Sequence, residues 1–253
     1  MLGFGWRKEE LRKRWYPPEF RGMYQRFEDT LRDCIPAGAT VLDAGCGSGR
    51  IFRYELAPGC RVVGVDIGAE LRDNPNVADR IRGDVQRLPF ADASFDAVLG
   101  SHVMEHIPEP EKALAEVARV LRPAGRFLLL TPNRFHYVPL VASLAPQRLH
   151  VWFNRRRGVP ERDVFPTLYR ANTAGRLRRL LGGAGLTVER LERFETEPEY
   201  LAFHPLSYAL GVGYERLVNR VGVLAPLRVA IIAVVGKDQP RIEPREAPVR
   251  DAS

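Results

Sequence analysis

The sequence predicts an α/β domain in which helices cover both faces of a mostly parallel sheet. Three observations carry that prediction. Runs of strand length that are apolar nearly throughout recur along the chain, among them ATVLDA (39–44), RVVGVD (61–66) and RFLLLTP (126–132). They alternate with stretches whose apolar residues fall at helical spacing, the pattern of strands buried on both sides. The first run leads straight into a turn with three glycines in five positions, Gly45, Gly47 and Gly49. A length of 253 residues suits one such domain with some elaboration.

Taken in order, residues 1–36 carry Trp6, Trp15, Tyr16, Phe20, Tyr24 and Phe27 among basic residues, which predicts a helical lid. The strand at 39–44 is followed by the glycine loop and a helix from Arg50 to about Leu56. A second strand, 61–66, ends in an acid, and FDAVLGSH (95–102) is a third. EKALAEVARVL (111–121) sets Leu114, Val117, Ala118 and Leu121 on one helical face. Pro123, Ala124 and Gly125 end that helix before the strand at 126–132. NTAGRLRRLLGGAGL (172–186) reads as a helix closed by Gly182 and Gly183, leading into the strand LTVERLERF (186–194). Residues 200–221 read as an amphipathic helix pair, and LRVAIIAVVGK (227–237) is the last strand. The main domain is expected over 37–237, with substrate-cap insertions at 133–173 and 199–222. A disordered tail rich in proline and charge is expected over 238–253.

Composition narrows the class further. The longest apolar run, Val229 to Val235, is far short of the roughly 18 residues a spanning helix needs. The first residues are charged with no apolar segment after them, so no signal peptide is expected. Three scattered cysteines, Cys34, Cys46 and Cys60, make neither a disulfide framework nor a zinc site, and a cytoplasmic location is expected. The net charge of +7 is uneven: residues 134–183 hold ten arginines against Glu161 and Asp163, 10 − 2 = +8, so the rest sums to −1. Such a segment suits an anionic ligand, an acidic lipid or a nucleic acid. A solvated face in a chain with 34 arginines and 4 lysines is the equal alternative.

Glycines beyond a parallel strand let the backbone turn at positive φ and let a ligand approach closely. The spacing here is G-x-G-x-G, unlike the dinucleotide fingerprint, whose last glycine is placed differently, and Arg50 and Ile51 follow at once. Asp66 ends the next strand 17 residues after Gly49, where a carboxylate suits the two hydroxyls of a ribose. A tight strand-to-helix turn alone also asks for glycine. The block GDVQRLPFADASFDAVLGSHVMEHIPEPEKALAEVARVLRPAGRFLLLTPN then follows in order. With these motifs the chain resembles the class I S-adenosylmethionine-dependent methyltransferases. Within them it is similar to the small-molecule, type 11 subgroup that includes quinone-pathway enzymes, closely over 38–133 and in outline to Lys237.

The resemblance implies a Rossmann-like sheet of seven strands whose last strand is antiparallel, and S-adenosylmethionine as cofactor. It implies that Asp43, Gly45, Gly47 and Gly49 wrap the methionine portion of that cofactor. Asp66 would hold the ribose, Ile67 would pack on the adenine, and Asp84 and Val85 would bond its nitrogens. Ser101 and His102 would floor the methionine end and face the acceptor. A sulfonium is cationic and carries no phosphate, so a site of acids rather than arginines suits it.

His102 and His106 are the candidate bases, because histidine titrates near neutral pH. His106 with Ile107 and Pro108 also recurs in relatives as a structural element, so plain support remains its other reading. His102, Glu105 and His106 match the inverted zinc-protease pattern H-x-x-E-H, but that motif needs a helix as platform and is set aside. Relatives with E-x-x-E-H at this place bind a divalent cation. His102 replaces their first glutamate, so no metal is expected. The N/D-P-P-Y type signature of amino-group methyltransferases is absent; Thr131, Pro132 and Asn133 follow the fifth strand instead. The insertion at 133–173 mixes Phe135, His136, Tyr137, His150, Trp152, Phe153, Phe165 and Tyr169 with arginines.

The expected function is methyl transfer from S-adenosylmethionine to a small, partly hydrophobic acceptor, most readily on oxygen. The alternatives are an RNA methyltransferase using residues 134–183 and an S-adenosylmethionine-binding protein without turnover. An NAD enzyme is disfavoured by the glycine spacing. A peripheral membrane contact is compatible with the same residues, and the oligomeric state is left open.

Overall fold

The structure is a computed structural model that describes residues 3–144 and 166–237. The expectations placed on His150, Trp152, Phe153 and Phe165, on the side chain of Trp6 and on the tail 238–253 lie outside the described residues.

Seven strands form one sheet: β1 (Thr40–Ala44), β2 (Arg61–Asp66), β3 (Asp79–Arg82), β4 (Phe95–Ser101), β5 (Leu121–Pro132), β6 (Leu186–Phe194) and β7 (Ala230–Lys237). Their order across the sheet is β3-β2-β1-β4-β5-β7-β6. β7 runs antiparallel to both β5 and β6, and the remaining neighbours are parallel. This is the Rossmann-like sheet with a reversed last strand that the resemblance implies. The chain winds outward from β1 through β2 to β3 and then returns to β4. The order therefore switches between β1 and β4, and open α/β sheets bind ligands beyond the carboxyl ends of the strands at such a point.

Among the described residues the α-helices are α1 (Gly3–Trp15), α2 (Met23–Cys34), α3 (Pro110–Val120), α4 (Tyr137–Leu144), α5 (Ala174–Gly183) and α6 (Pro205–Arg220). Successive strand residues divide between two cores because side chains alternate across a pleated sheet. Leu42, Val98, Phe127 and Leu129 meet Leu114 of α3 and Leu177 of α5 on one face. Val41, Leu99, Leu128 and Leu130 meet Phe27 and Leu31 of α2 on the other. Helices thus cover both faces, and α2 is part of the same packed body. A third cluster joins Tyr16, after α1, to Tyr208 and Val212 of α6. The Thr173 hydroxyl caps α5 by accepting from the Arg176 amide.

Four expectations are corrected. Residues 50–56 form no helix. Phe52, Tyr54 and Leu56 turn inward at every second position and pack against the α2 side of the core. Neighbouring side chains take up some of this segment's backbone groups: Asn76 donates to the Phe52 carbonyl and Glu28 accepts from the Glu55 amide. β3 was not expected, because Asp79, Arg80 and Arg82 on a half-exposed edge give no apolar run. Residues 200–221 hold one long helix, α6, preceded by a single 3-10 turn at Glu199–Leu201, rather than a helix pair. β5 starts at Leu121 rather than Arg126. Its pairing with β4 jumps from Phe95–Leu121 to Ala97–Arg126, so Pro123, Ala124 and Gly125 make a bulge within the strand, with Ala124 at φ 63°.

Candidate active site at the carboxyl ends of the central strands

The glycine loop leaves β1 with Gly45, Gly47 and Gly49 at φ 74°, 50° and 65°, a region that side chains adopt at a cost. Gly45 and Gly47 need it for different reasons. A Cβ at Gly45 would overlap the Val103 side chain, so that glycine lets the loop press against the turn after β4. A Cβ at Gly47 would meet open space, so there the requirement is the turn itself and an uncovered backbone. The loop is pinned from behind. Gly45 and Cys46 donate to the Val65 carbonyl, and the Asn74 amide donates to the carbonyls of Cys46 (2.8 Å) and Gly47 (3.1 Å). Asn74 is fully buried.

Asp66, at the end of β2, accepts the Gly47 amide on one carboxylate oxygen and the Gly68 amide on the other, each at 2.8 Å. Those bonds fix the plane of the carboxylate beside the loop and leave lone pairs on both oxygens. Ile67, next in the chain, is half exposed. Asp84 is exposed and accepts from the Gln86 amide, while Val85 is buried beneath it. The Gly83 amide donates to the Asp66 carbonyl, which brings the Asp84–Val85 turn to the same strand end.

Asp43 is the least solvated of these acids. It is only 5% exposed at the end of β1 and accepts the Tyr54 hydroxyl at 2.7 Å. Burial pushes its carboxyl up to about 6; the Tyr54 hydrogen bond opposes that rise and the nearby Asp66 charge adds to it. The same burial, with Asp43 beside it, pushes the Tyr54 hydroxyl up as well. A carboxylate kept dry in this way favours a cation placed next to it.

β4 ends at Ser101, and His102 follows at φ 55°, a strained conformation for a residue with a side chain. Its Nδ1 lies 3.2 Å from Oε1 of Glu105, and its Nε2 is buried with no hydrogen-bond partner among the described residues. Glu105 is buried, and its second oxygen accepts the Thr131 hydroxyl at 3.2 Å. Thr131 in turn accepts the Asn172 amide at 2.6 Å. The chain Asn172–Thr131–Glu105–His102 therefore orients the imidazole with hydrogen on Nδ1 and a lone pair on Nε2. Tyr24 of α2 stands over it, 5.8 Å from the His102 ring and 5.3 Å from the stacked Phe52 ring. Val103 packs against Gly45, so the turn that carries His102 lies beside the glycine loop.

His106 is separate from this arrangement. Its Nδ1 donates to the Pro166 carbonyl at 3.0 Å, tying the turn after β4 to the strand-free segment before α5. His102, Glu105 and His106 do not converge, and among the described residues no three histidines, cysteines or acids gather to hold a metal. Sequence reasoning passed over Asn74, Tyr54, Thr131 and Asn172, and met Glu105 only in the protease pattern it set aside. They act through contacts 11 to 41 positions apart, which no local spacing signals.

Residues 42–129 match a family described as "Methyltransferase domain". A putative methyltransferase of Encephalitozoon cuniculi is 36% identical over 173 residues, which is 65% of this chain and 72% of that protein. The 27-O-demethylrifamycin SV methyltransferase of Amycolatopsis mediterranei is 35% identical over 132 residues, 47% of each chain. The solved SAM-dependent methyltransferase of Aquifex aeolicus has the same fold with a TM-score of 0.51 at 16% identity, over 91% of this chain and 98% of that one. The matches span about half or less of most of the other curated relatives. The chain belongs to the class I methyltransferases, the family whose methyl donor is S-adenosylmethionine. Within that family its relatives include methyltransferases acting on small molecules.

Proposed function

We propose that the protein transfers a methyl group from S-adenosylmethionine to the oxygen of a small, partly hydrophobic acceptor. The observation that carries this reading is the crevice at the switch point. An uncovered glycine loop lies against two buried carboxylates, Asp43 and Asp66, and the neighbouring arginines are engaged elsewhere: Arg82 donates to the Ile67 carbonyl and Arg50 lies 3.7 Å from Asp73. Asp43 and the loop suit the charged methionine end, Asp66 suits the ribose hydroxyls, and Ile67, Asp84 and Val85 suit the adenine. Bound there, the cofactor supplies an electrophilic methyl group carried on a cationic sulfur.

This chain's own contribution is positioning and proton removal. His102 is the base: Nδ1–H is held by Glu105, so the Nε2 lone pair is free to take the acceptor's proton. Glu105 then faces the imidazolium as it forms. Ser101 floors the methionine end. His106 supports the wall. We read residues 1–36 as a lid anchored to the sheet through α2, with Tyr24 as its contact over His102, and the described parts of 133–173 and 199–222 as walls of the acceptor chamber.

The test is incubation of the protein and methyl-labelled S-adenosylmethionine with cell extract. Label entering the organic-soluble fraction, and lost in His102→Gln, supports the reading. Label entering RNA instead would replace it, and no incorporation at all, with donor binding intact, would mean a binding protein without turnover.

A further inference from the structure

We propose that the outer face of α6 docks on an anionic lipid bilayer. A surface helix ordinarily buries one apolar stripe and shows water a polar one. α6 is apolar on both sides. Its inner face carries Tyr208, Val212 and Val218 into the molecule. On the opposite side Leu206, Leu210 and Leu217 recur at i, i+4 and i+11, one face of a helix, and are 64%, 68% and 53% exposed. Gly213 stands between them and adds no polar group. The apolar surface continues past both ends of the helix, to Phe203 before it and to Val223, 82% exposed, after it. A run of large exposed side chains on one element marks a surface that meets something apolar.

The charges on that face say what it meets. Arg216 and Arg220 lie one turn apart along its edge, and both are exposed. The guanidinium of Arg216 sits 5.8 Å from the Trp15 ring, and Arg220 makes no ion pair with any described residue. The helix has a single carboxylate, Glu215, and it points inward and is buried. The outer face is therefore leucine and arginine with no acid. Two copies of this chain meeting through it would set arginine edges together with no carboxylate from either face opposite them. An anionic bilayer answers both features, since its headgroups meet the arginines and its acyl boundary takes the leucines. Such a helix lies in the interface without crossing it, and none of the described helices is long and apolar enough to cross a membrane. Docking at this face is independent of what the crevice beyond β1 and β4 catalyses.

The experiment is co-sedimentation of the full chain with vesicles of phosphatidylcholine alone and of phosphatidylcholine with one third phosphatidylglycerol. Binding to the anionic vesicles, weakened by added salt, is expected. Leu206→Ser with Leu210→Ser should lower partitioning by roughly tenfold or more, the scale of two apolar side chains kept from water. Arg216→Gln with Arg220→Gln should remove the preference for phosphatidylglycerol. Both double variants change exposed side chains, so an unchanged thermal midpoint shows that each remains folded. Failure to sediment with anionic vesicles, or sedimentation indifferent to the leucine variant, would overturn the proposal. So would a dimer in light scattering that the leucine variant dissociates, which would assign the face to a second copy.

Discussion

Asp43→Asn tests an acid beside the glycine loop whose ionisation the fold opposes. Raising a carboxyl from 3.8 to about 6 corresponds to roughly 3 kcal/mol of penalty on its ionised form. The folded state holds the proton more tightly than the unfolded chain. For this group stability is therefore greatest below 3.8, falls as pH climbs through the window to about 6, and stays reduced above it. Asparagine keeps the acceptor oxygen for Tyr54 and removes the charge, but its amide lacks a partner, which takes back about 1 kcal/mol. At pH 7.5 the variant should be more stable by about 2 kcal/mol, a rise in Tm of about 4–8 °C for a chain of this size. At pH 4.5 most of that advantage should be gone. Binding should move the opposite way. The donor's affinity for the native protein should rise about tenfold from pH 5 to pH 7.5 as Asp43 ionises, whereas the variant binds weakly with little dependence on pH. Scanning calorimetry at the two pH values and titration with S-adenosylmethionine measure both arms. A variant less stable than the native chain at pH 7.5, or one whose donor affinity is unchanged, refutes the assignment of a dry, ionised carboxylate to this site.

Other substitutions separate the parts of the crevice. Tyr54→Phe removes the hydrogen bond that restrains Asp43, so the midpoint of pH-dependent donor binding should move above about 6 and affinity at pH 7 should fall several-fold, read by the same titration. Gly45→Ala must displace Val103 and should lower stability by about 1–3 kcal/mol, seen in denaturant unfolding. Gly47→Ala meets no atom, so its stability loss should stay near 1 kcal/mol, while donor affinity drops at least tenfold because the methyl stands on the uncovered side of the loop. Glu105→Leu should reduce turnover by about 10- to 100-fold with donor affinity unchanged. Nitrogen NMR should then show the His102 hydrogen moving from Nδ1 to Nε2, and Glu105→Gln, which retains an acceptor oxygen, should keep it on Nδ1.

The sheet was legible because its inner strands are apolar on both faces, and Val41 and Leu42 alternate into two cores as any parallel strand between helix layers must. The glycine loop was legible because positive φ at three positions leaves few other residues. Residues 50–56 misled because Phe52, Tyr54 and Leu56 suit an extended segment packed under α2 as well as they suit a helix, and only the tertiary contact decides. Residues 200–221 form one helix rather than the expected pair, and Gly211 lies within it where α6 passes so close to Pro198 that a Cβ would overlap it. The relay from Asn172 to His102 had no signature, since its members come from β5, the turn after β4 and the approach to α5. His102 was expected for its position beyond β4; its strained backbone and its carboxylate partner were visible only in the fold.

The ligand proposed for the glycine loop, Asp43 and Asp66 is a phosphate-free, positively charged adenosyl donor. Calorimetric titration of the native chain and of Asp66→Ala with S-adenosylmethionine, S-adenosylhomocysteine and NAD tests it most directly. Binding of the first two, no binding of NAD, and a loss of about tenfold or more for both in Asp66→Ala is the predicted result. Equal affinity for NAD, or adenosyl ligands that bind Asp66→Ala as tightly as the native chain, would contradict it.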